Sequence, residues 1–380
     1  MDLFSDILPP LQAPVPIGTV AQQFARSITP AHHPENPKPS RTPQTSRLGL
    51  PAPRMNPWQR NGRTMLAEAT TNPDAAIRQA GLDWETQLVD LRTADTLEAV
   101  PGTRAVRRTD TRAILGVVGA DFTQVTNRLL FDVFRDLGRA GADGNAVPYT
   151  IETAGSLQGG AVVWVLAHLP NLGIRIGDDE SKTMLFISNG LIGNKMLTIA
   201  PTTYRIVCAN SLRMAEAQAR ENRRHPGLAG GFTLKHTPGI SAAINEAKAA
   251  FAATIASHAA TKAAWQHLAS KALTAKLEAE FMAQVFGRPG PDESDRAKAL
   301  RKGREERIAA ILASPTSQVR GTKDTAFSLM QAVVEYADHD RTTRTSDGGD
   351  ADESRLMSAT FGSGADVKAK AWEAALQVAA

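Results

Sequence analysis

The chain has 380 residues, and 42% of them are hydrophobic, so it is long enough and apolar enough to bury a sizeable core. Its apolar runs fall far short of the ~20 residues that a membrane helix needs, and its N-terminus lacks the basic and apolar regions of a signal peptide. With a single cysteine, Cys208, and a net charge of only +4, the composition predicts a cytoplasmic protein without disulfides.

The N-terminal part, residues 1–75, is rich in proline. It holds more than half of the chain's 22 prolines, with Ser, Thr, Gln and Asn between them and little hydrophobic periodicity. A segment of this kind buries too little apolar surface to offset the entropy lost on ordering it. We therefore predict a disordered arm over residues 1–75. A short apolar cluster in residues 1–8 is either incidental or a docking peptide.

Residues 76–238 are predicted to form a β-rich core domain. Leu130, Val133, Phe134 and Leu137 recur at helical spacing and predict one helix, which glycines then end. Strand-like segments follow at 149–156, 161–169, 182–188, 195–200 and 203–209. The first two flank a glycine-containing turn, which is typical of a β-hairpin. Because most connections are too short for a crossover helix, we expect a mainly antiparallel sheet.

Residues 239–380 are predicted to be a helical region that packs on the core. The 47 residues from 240 to 286 contain neither Gly nor Pro, which indicates one helix on the order of 70 Å long or two helices with a break near residue 270. Another helix is predicted over residues 327–336, and a loop over residues 342–353. The predicted fold class is thus α+β: a twisted antiparallel sheet with a packed helix, a helical C-terminal region and a disordered N-terminal arm.

A series of residues between about 80 and 375 follows the order of a known family. Its members are Gly81, Leu82, Asp83, Trp84, Arg108, Asp110, Thr111, Leu115, Gly116, Val117, Val118, Gly119, Asn127, Phe131, Ile176, Gly177, Asp178, Arg205, Ile206, Val207, Cys208, Asn210, Leu212, His236, Thr237, Gly321, Thr322, Glu335, Tyr336, Asp338, His339, Arg341, Arg344, Arg355, Leu356, Ser358, Ala359, Phe361, Gly362, Gly364 and Lys368, together with the hairpin. Through them the chain resembles a phage- and plasmid-related family, domain of unknown function 932. The family's Asn-Ser-His-Asp-Gly turn is shortened to Ser188, Asn189 and Gly190. The resemblance implies a fold but no established activity.

Motifs for catalysis and cofactors are mostly missing. The Gly155 to Gly160 spacing is that of a phosphate-binding loop, but Ala161 and Val162 stand where Lys and Ser or Thr are required. A single cysteine, with no pair of histidines at metal-binding spacing, argues against zinc. We therefore predict no cofactor, no metal and no catalytic residue, which favours a binding protein over an enzyme.

Two acidic clusters keep a metal-dependent nuclease open as an alternative, because nucleases hold divalent metals with converging carboxylates. One cluster comprises Asp178, Asp179 and Glu180, and the other comprises Glu335, Asp338, His339 and Asp340. The first also fits an ordinary hairpin turn. The second also fits an ion network at a helix end with Arg341 and Arg344.

Basic residues are the stronger functional signal. They cluster in three places where arginine, which binds phosphate in a bidentate manner, predominates. The residues predicted to bind nucleic acid are Arg107, Arg108, Arg112, Arg205, Arg213, Arg220, Arg223, Arg224, Arg301, Lys302, Arg304, Arg341 and Arg344.

The predicted function is sequence-independent binding of single-stranded DNA and strand annealing in the replication or recombination of a mobile element. We expect the protein to be a homo-oligomer that binds single-stranded DNA and does not associate with a membrane. Basic clusters supply the electrostatic argument, and the β-rich core with a packed helix looks broadly like the ring-forming annealing proteins. The other alternative is a protein-interaction or host-defence antagonist protein that binds no DNA.

Overall fold

The computed structural model describes residues 57–139, 147–192, 195–206, 210–212, 232–345 and 350–379. All of them fall within one compact unit, so the predicted core domain and the predicted helical region share it. Among the described residues, no helix is long and apolar enough to cross a membrane.

Strands dominate the first half of the described chain. They are β1 Arg63–Thr64, β2 Thr86–Arg92, β3 Ala99–Arg108, β4 Ile114–Gly119, β5 Thr150–Leu157, β6 Val162–His168, β7 Ile174–Ile176, β8 Asp179–Gly190, β9 Leu197–Arg205, β10 Asn210–Leu212 and β11 Phe232–Leu234. Helices dominate the second half. They are α1 Pro57–Asn61, α2 Pro73–Gln79, α3 Asn127–Arg139, α4 Ile240–Ser270, α5 Ala275–Phe286, α6 Asp295–Leu312, α7 Ala326–Glu335, α8 Ala351–Phe361 and α9 Ser363–Ala379. The π-helical turn Tyr336–Asp340 extends α7.

The main sheet is antiparallel throughout. Its strand order is β1-β5-β6-β8-β9-β10, with β7 pairing to β8 and β11 pairing to β9. The predicted hairpin is β5–β6, closed by a 3-10 turn at Gln158–Gly160 in which Gly159 has a φ of 67°. The α+β fold class and the antiparallel sheet are therefore confirmed.

The main sheet is apolar on both faces, because a core lies on each side of it. On β6, Val163 and Val165 enter the first core, which also contains Phe131 and Phe134 of α3. We call this the front core. On the opposite face, Trp164 lies in a second core with side chains from α1 and α8, which we call the back core. Alternation of side chains along the strand produces this division.

The back core joins distant parts of the chain. Trp58 of α1 lies edge-on to Trp164, with 4.6 Å between ring centroids, and Leu356 of α8 is buried in the same core. The Asn61 side chain donates a hydrogen bond to the Asp352 carbonyl over 3.4 Å, across 291 positions of sequence. Helices α1 and α8, which are far apart in the sequence, thus cover one face of the sheet together.

A smaller antiparallel sheet, β2-β3-β4, packs one face on the front core through Val106 and Val118. Ile114 and Val117 of β4 are each 51% exposed. This small sheet therefore presents aliphatic side chains to solvent.

The helical half has its own core. Trp265 of α4, Phe281 of α5, Ile308 of α6 and Trp372 of α9 surround α7, every residue of which is buried. Of the two alternatives for residues 240–286, the structure has two helices with a break near residue 270: α4 ends at Ser270, and the Thr274 hydroxyl caps the start of α5.

Three predicted boundaries need correction. Residues 1–56 of the predicted arm lie outside the described residues, but residues 57–75 are folded, because Trp58 supplies a large apolar side chain to the back core. The predicted loop over residues 342–353 ends earlier, because Asp350 caps α8. The strands predicted at 195–200 and 203–209 are one strand, β9, because the pairing with β8 continues through Pro201, which lies opposite Leu185. On the other edge of β9, the residues before Pro201 pair with β11 and those after it pair with β10.

Candidate nucleic-acid interface

A cleft opens where α5 ends and α6 begins, with a volume of about 270 Å³. Its lining combines one aromatic ring, an exposed aliphatic side chain, a carboxylate and three guanidinium groups. These belong to Phe286, Arg288, Glu293, Leu300, Arg301 and Arg304. Ligand pockets for drug-sized molecules are typically about 300–1,000 Å³, so this cleft is suited to a small group.

The sequence builds the cleft from a helix stop and a helix start. Gly287 ends α5 with a φ of 84°, which glycine adopts without strain. Ser294 then starts α6, its hydroxyl accepting a hydrogen bond from the Ala297 backbone over 3.3 Å. Because residues three and four apart share a helix face, Leu300, Arg301 and Arg304 lie together toward the cleft.

Phe286 and Arg304 form a stack at the cleft. The guanidinium carbon of Arg304 lies 4.2 Å from the centre of the Phe286 ring. Arg304 Nε is buried and has no hydrogen-bond partner among the described residues. A flat cation resting on an aromatic ring leaves its outer face for a further planar group. Leu300, 66% exposed, extends the apolar part of the cleft.

Arg301 and Glu293 form the polar wall. Arg301 Nη2 lies 3.1 Å from Glu293 Oε2, and its Nη1 lies 3.5 Å from Glu305 one helical turn further on. Its hydrogen bond to Glu293 raises the pKa of Arg301 above its ordinary value. The pair holds the Glu293 carboxylate in place while leaving its oxygens further acceptor capacity.

The basic cluster at the small sheet does not form one open surface. Arg108 is committed to Trp84, whose ring centre lies 4.1 Å from its guanidinium carbon, and to a bidentate pair with Asp110. Arg107 is half-buried beside Gln87. Arg112 is exposed at the β3–β4 turn.

Arg205 is a core residue, which corrects its predicted place in the interface. Its side chain is 1% exposed, and its Nε lies 2.9 Å from each carboxylate oxygen of Asp179. The Thr322 hydroxyl donates to the same carboxylate over 2.9 Å. A phosphate at the surface cannot reach this guanidinium, so Arg205 is not part of the interface that we propose.

The remaining predicted residues have diverse settings. Arg213, Arg220, Arg223 and Arg224 lie outside the described residues. Lys302 is 77% exposed and faces Glu306 across 3.8 Å. Arg341 donates to the Ser363 hydroxyl over 2.6 Å, and Arg344 is exposed. The structure thus brings Arg301 and Arg304 to the cleft, and leaves Lys302 beside it on α6.

The acidic residues behind the nuclease alternative are engaged separately. Asp178 pairs with Arg320 at 2.8 Å, and Asp179 with Arg205. Glu335 accepts from the Thr316 hydroxyl over 2.8 Å.

The second acidic cluster is engaged in separate ion pairs. Asp338 pairs with buried Lys368 at 2.7 Å, and Asp340 pairs with Arg307 at 2.6 Å. Within the described part of the chain, no group of three or more His, Cys, Asp or Glu side chains could hold a metal ion. The carboxylates that the nuclease alternative requires are thus held in separate ion pairs and hydrogen bonds.

Sequence reasoning missed Phe286, Arg288 and Glu293. A signal was present, because a helix ending in Phe-Gly-Arg-Pro, followed by the Glu-Ser start of a basic helix, puts an aromatic ring and charges at one corner. The pairing of Phe286 with Arg304 depends on how that corner closes.

Comparison with known proteins identifies the family. The chain matches the domain of unknown function 932 over residues 114–360, more than half of its length, and this range includes the cleft. No curated protein and no solved structure matches the chain. The family resemblance seen in the sequence is confirmed, and the chain belongs to the family of domain of unknown function 932.

Proposed function

We propose that the protein binds single-stranded DNA and promotes strand annealing, with the cleft between α5 and α6 as a contact site. The observation that carries this proposal is the Phe286–Arg304 stack, which offers a planar surface beside cations. Proteins that hold single strands combine a positively charged groove with side chains on which bases stack.

Charge along α6 supports a backbone contact. The helix carries six cationic residues against three acidic ones. Several cations face helix neighbours, as Lys298 faces Asp295 at 3.6 Å and Lys302 faces Glu306 at 3.8 Å. Exposed pairs of this kind contribute only about 0–1 kcal/mol, so phosphates can compete for the cations.

The size of the cleft favours an unpaired strand. At about 270 Å³ it suits one base or one phosphate group. A base in a duplex is stacked on both sides and cannot enter without unstacking, whereas a base in a single strand is available. Annealing follows if a bound strand keeps its other bases exposed for pairing. A role in replication or recombination of a mobile element would use this activity.

Fluorescence anisotropy with a labelled single strand and its duplex, at two salt concentrations, tests the proposal. The wild type is expected to prefer the single strand. The Arg304→Gln variant should weaken binding and flatten the slope of log affinity against log salt by about 0.7 for one lost phosphate contact. Phe286→Leu should weaken binding without changing that slope. Arg78→Gln, an exposed arginine of α2 that does not line the cleft, is the matched control.

Two outcomes would end the proposal: no binding of the wild type at low salt, or binding that the cleft variants leave unchanged. Annealing is measured separately, as the rate at which two labelled complementary strands pair with and without protein. A protein that binds strands but does not raise this rate is a binding protein only.

The second candidate function is protein binding without DNA. Its supporting observation is the small sheet, where Ile114 and Val117 are each 51% exposed. Exposed aliphatic side chains on a sheet suit a protein partner better than a nucleic acid. Under this alternative, the double variant Ile114→Ser, Val117→Ser would abolish partner binding, and salt-dependent DNA binding would be missing in the wild type.

A further inference from the structure

The cleft also has the chemistry to distinguish bases. We propose that Glu293 reads the edge of one unpaired base, so that the protein favours bases with an amino group on that edge, such as cytosine, over thymine. This inference rests on the proposed binding of single-stranded DNA. It changes the expectation from sequence-independent binding to binding with a base preference at one site.

Glu293 is the acceptor in this arrangement. Its side chain is 15% exposed and lines the cleft, and Arg301 Nε lies 3.3 Å from both of its oxygens. An ionised carboxylate only accepts hydrogen bonds, and its two oxygens together have about four acceptor positions. Arg301 therefore orients Glu293 and leaves it able to accept from a ligand. A cytosine amino group is a standard donor to Glu.

Arg304 is the stacking surface beside it. Its guanidinium rests on Phe286, so its plane is fixed, and a base in the cleft can stack on the other face.

Glu293, as an acceptor, matches one kind of base edge. In the same pose on Arg304, cytosine presents its amino group to the carboxylate, whereas thymine presents a carbonyl there and carries its N–H donor on the neighbouring ring nitrogen. A carboxylate facing that carbonyl leaves two acceptors opposed, so thymine must shift in its ring plane, and lose part of its stacking, before its N–H reaches Glu293. Cytosine and thymine have the same ring size, so stacking on Arg304 does not separate them. Discrimination therefore depends on Glu293.

The experiment compares two homopolymers of about twenty nucleotides, longer than the strand that a single-strand-binding fold typically covers. Oligo-dC and oligo-dT are titrated by fluorescence anisotropy at mildly alkaline pH, where cytosine is unprotonated. The wild type is expected to bind oligo-dC about tenfold more tightly, as one charge-assisted hydrogen bond would give. The Glu293→Gln variant should bring the two affinities together, because its amide can also donate to thymine.

The Glu306→Gln variant is the matched control. It makes the same chemical change on α6, where Glu306 faces Lys302 and does not line the cleft. It should keep the wild-type ratio of affinities. If both variants lose the ratio equally, general charge explains it and the inference is overturned.

The wild-type ratio tests the base preference without any variant, so a Glu293→Gln protein that fails to fold leaves that part of the test intact, and the variants assign the preference to Glu293. Equal affinity for oligo-dC and oligo-dT overturns the base preference but leaves single-strand binding standing. No affinity for either homopolymer overturns both the preference and the proposed function. Tighter binding of oligo-dT than of oligo-dC also contradicts the proposal that Glu293 accepts a hydrogen bond from the base amino group.

Discussion

Gly177 and Gly321 touch backbone to backbone where the β7–β8 turn meets the loop before α7. A Cβ atom added at Gly177 would lie 2.8 Å from Gly321 Cα, and one added at Gly321 would lie 2.7 Å from Gly177 Cα. The Asp178 backbone N–H donates to the Arg320 carbonyl over 2.9 Å at the same point. The β7–β8 turn and the helical half are thus in contact at two glycines, where no side chain separates the two backbone segments.

The first prediction concerns this contact. Gly177→Ala should destabilise the protein by about 1–3 kcal/mol through overpacking, in addition to the strain of a positive φ. Gly159→Ala is the matched control, because Gly159 has a φ of 67°, close to the 59° of Gly177, but nothing within 4 Å of its added Cβ. Urea unfolding measures both. Equal costs for the two variants would show that strain alone matters and that the contact does not.

The second prediction concerns the buried pair of Arg205 and Asp179. Replacing Arg205 by Met leaves a buried carboxylate without its cation, which should cost about 3–5 kcal/mol of unfolding free energy. Adding Asp179→Leu should recover part of that loss, because both charges are then gone. Thermal and urea unfolding of the single and double variants measure the effect.

The neighbouring pair of Asp178 and Arg320 is the control, since it has similar chemistry at the surface. Asp178→Asn should change stability little. A double variant less stable than Arg205→Met would contradict the electrostatic account.

The third prediction concerns Trp164, which is 0% exposed in the back core. Trp164→Ala should cost about 3–5 kcal/mol, as large-to-small changes in a core do. Trp164→Phe should cost less, because phenylalanine keeps an aromatic ring in the core. The indole Nε1 has no hydrogen-bond partner among the described residues, so the substitution breaks no hydrogen bond. Urea midpoints decide between these. A stable Trp164→Ala protein that no longer binds DNA would place this ring in the interface instead of the core.

The fourth prediction concerns pH. Burial lowers the pKa of His236 below its ordinary value of 6.5, as it does for His168 and His258. The His236 ring is stacked on Phe122, and its Nδ1 lies 3.0 Å from the Thr123 carbonyl, which can only accept. Nδ1 is therefore the protonated nitrogen of the neutral ring.

The unfolded chain takes up protons on these rings near pH 6.5, while the folded chain does so only at lower pH. Stability present above pH 6.5 should thus decline as the pH falls from there through the folded pKa values. His236→Asn, whose amide can still donate to Thr123, should flatten this decline. Urea midpoints across this pH range measure it. A flat profile in the wild type would contradict the prediction.

Features set by local sequence could be predicted, and those set by distant partners could not. The β5–β6 hairpin and the break after Ser270 follow from residues next to one another, such as Gly159 and the cap at Thr274. Trp58 lies in a proline-rich stretch, and its burial depends on Trp164, far along the chain. Its place in the core therefore leaves no periodic pattern to detect.

The candidate site shows the same division. Arg301 and Arg304 were predicted from charge clustering along one helix, which is a local signal. Arg205 has the same chemistry in the sequence, but Asp179, 26 positions earlier, draws it into the interior. Phe286 stands 18 positions before Arg304, and only the corner at Gly287 brings the two together. The charge of a residue can thus be predicted from a sequence more readily than its burial.

The covering of the back core by α1 and α8 has a consequence for synthesis on the ribosome. Trp164 and its strand emerge early, but Leu356, which helps to close the core over them, follows about 190 residues later. At ~5–20 residues per second, the interval is about 10–40 s. During that time, within the part of the chain that the structure describes, the short helix around Trp58 is the one helix that covers this apolar sheet face. The nascent protein should therefore depend on a chaperone until its last helices have left the ribosome.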